Sequence, residues 1–90
     1  MKLLKEISEQ KIQSKIIKKL EANGCFVLKL IKCNKNGYPD LLVIKNNEVS
    51  FIEVKKKEGK LSELQKARII ELKERGVEVK IWQDYNIDFK

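Results

Sequence analysis

The chain has 90 residues, enough for one domain over residues 1–90 whose core holds about one sheet and two helices. Its net charge of +7 favours a polyanionic partner such as DNA, RNA or an anionic membrane surface, although a solvated lysine-rich surface gives the same composition. The lack of histidine excludes Ser-His-Asp and Cys-His catalysis, and the two cysteines fit no structural zinc pattern.

The N-terminal segment predicts a helix over residues 2–23, which the Asn23–Gly24 pair would end. The segment turns charged too early for a signal peptide, and no apolar run reaches membrane-spanning length, so we expect a cytoplasmic protein with reduced thiols. At about 100° per residue, the apolar side chains of this helix cover an arc of roughly 140°. They are Ile12, Ile16, Ile17 and Leu20.

With Ile12 set at zero, Glu9 projects at about 60°, near the middle of this apolar arc. Two interpretations stay open for it. The carboxylate either points inward to a functional site or is an acid favoured near a helix N terminus, with Ser8 as the N-cap. Glu6 projects near the edge of the arc and is the weaker alternative for the same role.

The middle of the chain predicts a first strand over residues 25–31, followed by a polar, basic loop. Gly37 is the residue of this loop that we expect to have a positive φ. The next strand, over residues 40–45, starts after Pro39, where a missing N–H is tolerated. Because it is apolar on both faces, we expect this strand to be central in the sheet.

The Asn46–Asn47 pair favours a two-residue type I′ turn into a returning strand over residues 49–55. Counting back from this turn sets Asp40 directly opposite Glu53, with Cβ atoms roughly 4.5–5.5 Å apart. Two carboxylates at that separation repel each other unless a positive group lies between them, and a divalent metal ion meets this need. Lys55 is two residues beyond Glu53 and therefore lies on the same face of the strand.

The second predicted helix runs from Ser62, its N-cap, to Arg75, and Gly76 follows it. Gln65 has two interpretations that stay open: a capping-box partner of Ser62, or a side chain that faces the metal site from the first turn. The apolar residues of this helix form no single stripe, which hints at contacts on two sides, one of them in a dimer. A last strand over residues 77–82 would run parallel to the returning hairpin strand.

Taken together, these elements and motifs resemble the VRR-NUC domain of the PD-(D/E)XK nuclease superfamily, as a standalone domain similar to Holliday-junction resolvases. The resemblance spans about residues 8–82. The acid…Glu-x-Lys pattern alone is weak, but it gains specificity from the G-x-P-D loop and from the helix that opens with S-x-x-Q. The matching residues are Ser8–Glu9, Gly37–Tyr38–Pro39–Asp40, Glu53–Val54–Lys55 and Leu61–Lys66.

The resemblance implies a fold and a set of roles. The fold is α/β, a restriction-endonuclease-like αβββαβ core with a mixed four-stranded sheet flanked by helices. Mg²⁺ or Mn²⁺ would be held by Asp40, Glu53 and the Val54 carbonyl, with Glu9 completing the site, and no small-molecule cofactor is expected. Lys55 would position or deprotonate the attacking water, and Gln65 would orient water, Lys55 or phosphate.

The substrate implied by the resemblance is DNA, in particular a four-way junction or another branched form, cleaved by a homodimer with two symmetry-related sites. A small standalone protein of this type suggests a phage origin. Lysines that flank the site would bind phosphates; they are Lys32, Lys35, Lys56, Lys57 and Lys60.

Two other functions compete with this reading of the sequence. One is a non-catalytic nucleic-acid-binding module on a nuclease-like fold, against which the intact acids and lysine argue. The other is an assembly subunit that uses the second helix together with an apolar N-terminal surface, namely Leu3, Leu4 and Ile7.

Overall fold

The structure is a computed structural model that describes residues 8–83. Helices and strands follow the predicted αβββαβ order, which confirms the α/β fold class. The elements are α1 (Glu9–Ala22), β1 (Phe26–Lys29), β2 (Leu41–Lys45), β3 (Glu48–Val54), α2 (Glu63–Glu74) and β4 (Glu78–Trp82). Within residues 8–83, no helix combines the length and the apolar character that a bilayer crossing requires.

Helix α1 begins at Glu9, because the backbone of Ser8 is extended (φ −66°, ψ 157°). The Ser8 hydroxyl accepts a hydrogen bond from the Lys11 backbone N–H. The predicted helix start at residue 2 is therefore wrong, and Ser8 is the N-cap. Glu6 and the apolar surface proposed for Leu3, Leu4 and Ile7 lie outside the described residues. The predicted end is confirmed, since Asn23 caps α1 and Gly24 has a φ of +84°.

The four strands form one sheet in the order β1-β2-β3-β4, with β2 and β3 central. The first three strands are antiparallel, and β4 is parallel to β3. The hairpin turn is the predicted one: Asn46 and Asn47 have φ values of 53° and 66°, and Lys45 pairs with Glu48. Because side chains alternate along a strand, this register fixes which residues of β2 and β3 share a face.

One face of the sheet forms the core with α1. Its buried apolar residues pack as a single cluster, with Ile16 completely buried at the centre of the helix. The members of this cluster are Ile12, Ile16, Leu20, Leu41, Val43, Ile52 and Val54. Alternation then directs Glu53, between Ile52 and Val54, to the opposite face, where α2 lies.

Beyond α2, this second face carries an exposed apolar surface. The register sets Phe26, Ile44 and Val49 in one row across three strands, with Leu28, Leu42 and Phe51 in the next row. Phe26, Leu28 and Val49 are large apolar side chains that remain exposed. We call these six residues the apolar sheet face.

Candidate active site

Asp40 lies at the entrance to β2, and the backbone holds it in place from two sides. Leu41 pairs with Ile52, so extending the ladder by one pair sets Asp40 opposite Glu53. The Val54 N–H donates to Asp40 Oδ2 at 2.8 Å, and the Leu30 N–H donates to the Asp40 carbonyl at 2.7 Å. The hairpin register therefore brings the two acids together as the sequence predicts.

Glu53 is a charged side chain in an unusually closed environment, with only 2% of its surface exposed. Burial, followed by the neighbouring charge of Asp40, raises the pKa of Glu53 to about 8, while Lys55 acts in the opposite direction. Among the described residues, its Oε1 atom is buried without a hydrogen-bond donor. A buried oxygen of this kind is costly unless a proton or a cation satisfies it.

Lys55 follows β3 and lies beside Glu53. Its Nζ atom is 4.0 Å from Glu53 Oε2, and its side chain is 13% exposed. The Lys55 N–H donates to the Trp82 carbonyl at 2.9 Å, which ties the residue to the end of β4. The ammonium group is thus held at the edge of the acid pair, where it can interact with a negatively charged substrate.

Gln65 makes the capping-box contacts and also contacts Glu53. Its Oε1 atom accepts from the Ser62 N–H at 2.9 Å, and its own N–H donates to the Ser62 hydroxyl at 3.0 Å, which completes the capping box. At the same time its Nε2 group donates to Glu53 Oε2 at 3.3 Å. The side-chain amide therefore links the start of α2 to the buried carboxylate.

Glu9 lies near the acid pair but has its own contact. Its Oε2 atom accepts a long hydrogen bond of 3.4 Å from the Lys56 N–H, and its charge contributes to the raised pKa of Glu53. A Cβ added at Gly59 would lie 3.3 Å from Glu9 Oε2 and 3.4 Å from Lys55 Cδ. Within residues 8–83, no three acidic, cysteine or histidine side chains converge as a metal-binding group.

Gln13 is a site candidate that the sequence interpretation missed. It is 7% exposed, and its amide oxygen is buried without a hydrogen-bond partner in the described part of the chain. It lies one turn after Glu9 on α1. The signal was available, since at about 100° per residue Gln13 projects at about 100°, inside the apolar arc.

The predicted DNA-binding lysines lie on two connecting segments of the chain. Lys32 and Lys35 belong to the loop between β1 and β2, and the others belong to the segment between β3 and α2. All are exposed to solvent; the second group is Lys56, Lys57 and Lys60. The first segment leads to Asp40 and the second follows Lys55, so both segments join the site along the chain.

The residues present fit a divalent metal ion. Carboxylate and carbonyl oxygens are the ligands that Mg²⁺ and Mn²⁺ prefer, and the unpartnered Glu53 Oε1 atom is an acceptor that a cation would satisfy. Asp40, Glu53 and the Val54 carbonyl would hold the ion. The close approach of two acids in a buried setting is the electrostatic condition that favours its binding.

Comparison with known proteins identifies a family for this chain. The family model of the VRR-NUC domain matches residues 2–83. The chain belongs to the VRR-NUC family. A solved structure described as a VRR_NUC domain aligns with a TM-score of 0.77 and 29% identity, over 86% of this chain and 85% of that chain. Comparison with curated protein sequences gives no significant match.

Membership of this family identifies the chain as a nuclease-type domain with DNA as its substrate class. Nuclease domains of this family generally use a divalent metal ion. The VRR-NUC match spans the two acids, Lys55 and Gln65, as well as both lysine-bearing segments.

Proposed function

We propose that this VRR-NUC domain is a metal-dependent endonuclease that hydrolyses phosphodiester bonds in DNA. The observation that carries the proposal is the opposed pair Asp40 and Glu53. Glu53 Oε1 is buried without a partner among the described residues, and the Lys55 ammonium is 4.0 Å from Glu53 Oε2. A structural ion pair would not need the second acid. An acid pair with one buried member and an adjacent lysine suits phosphate chemistry at a metal ion.

The residues divide the chemistry between them. When bound, Mg²⁺ or Mn²⁺ lowers the pKa of a coordinated water and stabilises charge on the phosphate oxygens. Asp40 and Glu53 hold the ion, and Gln65 keeps one Glu53 oxygen oriented through its 3.3 Å hydrogen bond. Lys55 positions the attacking water and stabilises the negative charge that develops as a P–O bond forms and the bond to the leaving oxygen breaks.

The lysines on the two flanking segments would bind the DNA backbone. Each phosphate contact releases condensed counterions, so the binding affinity should fall steeply as the salt concentration rises. Such contacts orient the duplex without reading its sequence, which suits an enzyme that selects a DNA structure.

We further propose that the active form is a homodimer acting on branched DNA. The apolar sheet face supports this proposal, because contiguous exposed apolar surface marks an interaction site more often than a solvent-facing one. A second copy would cover it and set two active sites about a two-fold axis, as a four-way junction requires. Sedimentation of the wild type and of a Phe26→Lys variant tests the dimer. The wild type should assemble in a concentration-dependent way, and the lysine introduced in the variant should weaken this assembly.

The proposed activity is tested with a panel of four-way, flapped and linear DNA, with and without Mg²⁺ or Mn²⁺. We expect metal-dependent nicking that Asp40→Asn and Lys55→Ala each reduce by about a hundredfold or more. Glu63→Gln is the matched control, because it removes an exposed acid from the chain and leaves the site intact. Absence of products with all substrates and both metals would contradict the proposal.

One observation favours the second candidate, a non-catalytic nucleic-acid-binding module. Two acids meet at the site, but no group of three metal-ligating side chains converges within the described range 8–83. This candidate predicts salt-dependent DNA binding that is indifferent to EDTA and yields no products. The same panel therefore separates the two functions.

A further inference from the structure

The loop that leads to Asp40 is fastened to helix α2 by side chains that no part of the proposed chemistry uses. Tyr38 Oη donates to Glu71 Oε1 at 2.7 Å. Arg68 Nε donates to the Asn36 carbonyl at 2.8 Å, and Arg68 Nη1 donates to both Glu71 carboxylate oxygens, at 3.0 and 3.3 Å. The Arg68 guanidinium also lies over the Tyr38 ring, 4.9 Å from its centroid.

The backbone of this loop lies directly against the helix. Gly37 has a φ of +87°, and a Cβ at this position would lie 2.7 Å from Leu64 Cγ and 3.3 Å from Arg68 Cγ. A side chain would therefore both strain the backbone and displace the loop from α2. The segment that places Asp40 is held by contact as well as by hydrogen bonds.

The same helix also holds the other acid. Gln65, in the first turn of α2, donates to Glu53, while Arg68 lies three residues later and therefore on the same helical side. Helix α2 thus contacts Glu53 directly and reaches Asp40 through Asn36 and Tyr38. Asp40 precedes β2 and Glu53 lies in β3, and α2 contacts both Glu53 and the loop that leads to Asp40.

A second ion pair on α2 is more exposed than the pair that Arg68 forms. Glu63 and Lys66 form an i,i+3 pair whose side chains are 92% and 55% exposed, and neither reaches the loop. Arg68 is only 20% exposed. Its planar guanidinium group contacts the Asn36 carbonyl, the Tyr38 ring and Glu71 at the same time. The hydrogen bond from Tyr38, assisted by Arg68 and opposed by desolvation, lowers the pKa of Glu71 and keeps it charged for this role.

We infer that Arg68 and Tyr38 are positioning residues that set the separation of Asp40 and Glu53, and hence the affinity of the site for a divalent metal, by fastening the loop at residues 36–38 to α2. The inference rests on the proposed metal site. It concerns metal affinity in the absence of DNA, whereas the proposed function concerns cleavage.

The test is the Mn²⁺ affinity of the full chain without DNA, measured by titration calorimetry. Loss of a contact that orients a metal ligand typically weakens metal binding by tenfold or more, so we expect Arg68→Ala to raise the Kd for Mn²⁺ by about tenfold. Tyr38→Phe, which removes one hydroxyl, should raise it by a smaller factor, and Arg68→Lys should not restore the wild-type value because an ammonium cannot make the same fork of hydrogen bonds. Lys66→Ala is the matched control and should leave the Kd unchanged.

Circular dichroism at the titration temperature shows whether each variant is folded, and Tyr38→Phe carries the test if Arg68→Ala is not. The inference is overturned if the folded variants bind Mn²⁺ like the wild type, or if Lys66→Ala weakens binding equally. If the wild type cleaves DNA and the variants bind Mn²⁺ with unaltered affinity, the proposed function is supported and the inference about Arg68 and Tyr38 is contradicted. Weakened Mn²⁺ binding in variants of a protein that cuts no DNA would support the inference and contradict the function, and a wild type that binds no Mn²⁺ would overturn both.

Discussion

Helices α1 and α2 flank the same sheet but are held to it by different forces. Helix α1 buries a stripe of isoleucine and leucine in the core, whereas Ile69 is the one buried residue of α2. In α2, Gln65 donates to Glu53 of β3, while Arg68 and Glu71 form hydrogen bonds with the loop that leads to Asp40. The difference indicates that α1 contributes mainly apolar packing to the core, while α2 contributes polar contacts beside the site.

The largest expected effect on stability separates the two helices directly. Ile16→Ala should lower the free energy of unfolding by about 2–5 kcal/mol, because it opens a cavity at a completely buried position. Ile70→Ala removes an exposed side chain of α2 and should change that free energy by less than about 0.5 kcal/mol. Urea denaturation of both variants measures the contrast, and equal losses would contradict it.

The next effect is the pH dependence of the free energy of unfolding that Glu53 causes. Its pKa in the folded protein, about 8, lies above the ordinary 4.5, so the folded chain retains a proton that the unfolded chain releases. The stability from this group is complete below pH 4.5 and is lost as the pH rises to about 8.

Denaturation in EDTA between about pH 4 and about pH 9 spans both values and measures this loss. Glu53→Gln should unfold at a higher urea concentration than the wild type at alkaline pH and should show a flatter profile. Glu63→Gln, at an exposed position, should follow the wild type. A wild-type profile parallel to that of Glu53→Gln would show that burial does not raise this pKa.

A smaller effect sharpens the double role of Gln65. Ser62→Ala removes the cap and should cost about 1 kcal/mol, while leaving the Gln65 hydrogen bond to Glu53 possible. Gln65→Ala removes both contacts and should cost a similar amount but also reduce cleavage by about tenfold. Comparable cleavage by the two variants would assign Gln65 to capping alone.

A further effect concerns Gln13, a buried polar residue of α1. Its buried amide oxygen lacks a hydrogen-bond partner among residues 8–83, so Gln13→Leu should leave stability unchanged or raise it by up to about 1 kcal/mol. Cleavage by the same variant should fall if the amide serves the neighbouring acids. Reduced stability together with full cleavage would make Gln13 an ordinary structural residue.

Local chemistry made much of the fold predictable. The Asn46–Asn47 turn fixed the hairpin register, because both residues tolerate positive φ and side chains alternate strictly along the strands. That register placed Asp40 beside Glu53 before any tertiary contact was known. The helix start at residue 2 was wrong because the helical spacing continues past Ser8, whereas the backbone at Ser8 is extended and caps the helix.

The sequence by itself determined the element order, the hairpin register and the pairing of the two acids, since each depends on neighbouring residues and on strict periodicity. Only the tertiary structure decided that Gln65 caps its helix and contacts Glu53 at once, and that Arg68 and Glu71 hold the Tyr38 loop. These contacts join residues 12 to 33 positions apart, and surface helices carry many similar side chains that make no such contact. Their partners are set by the packing of α2 on the sheet, which no local pattern specifies.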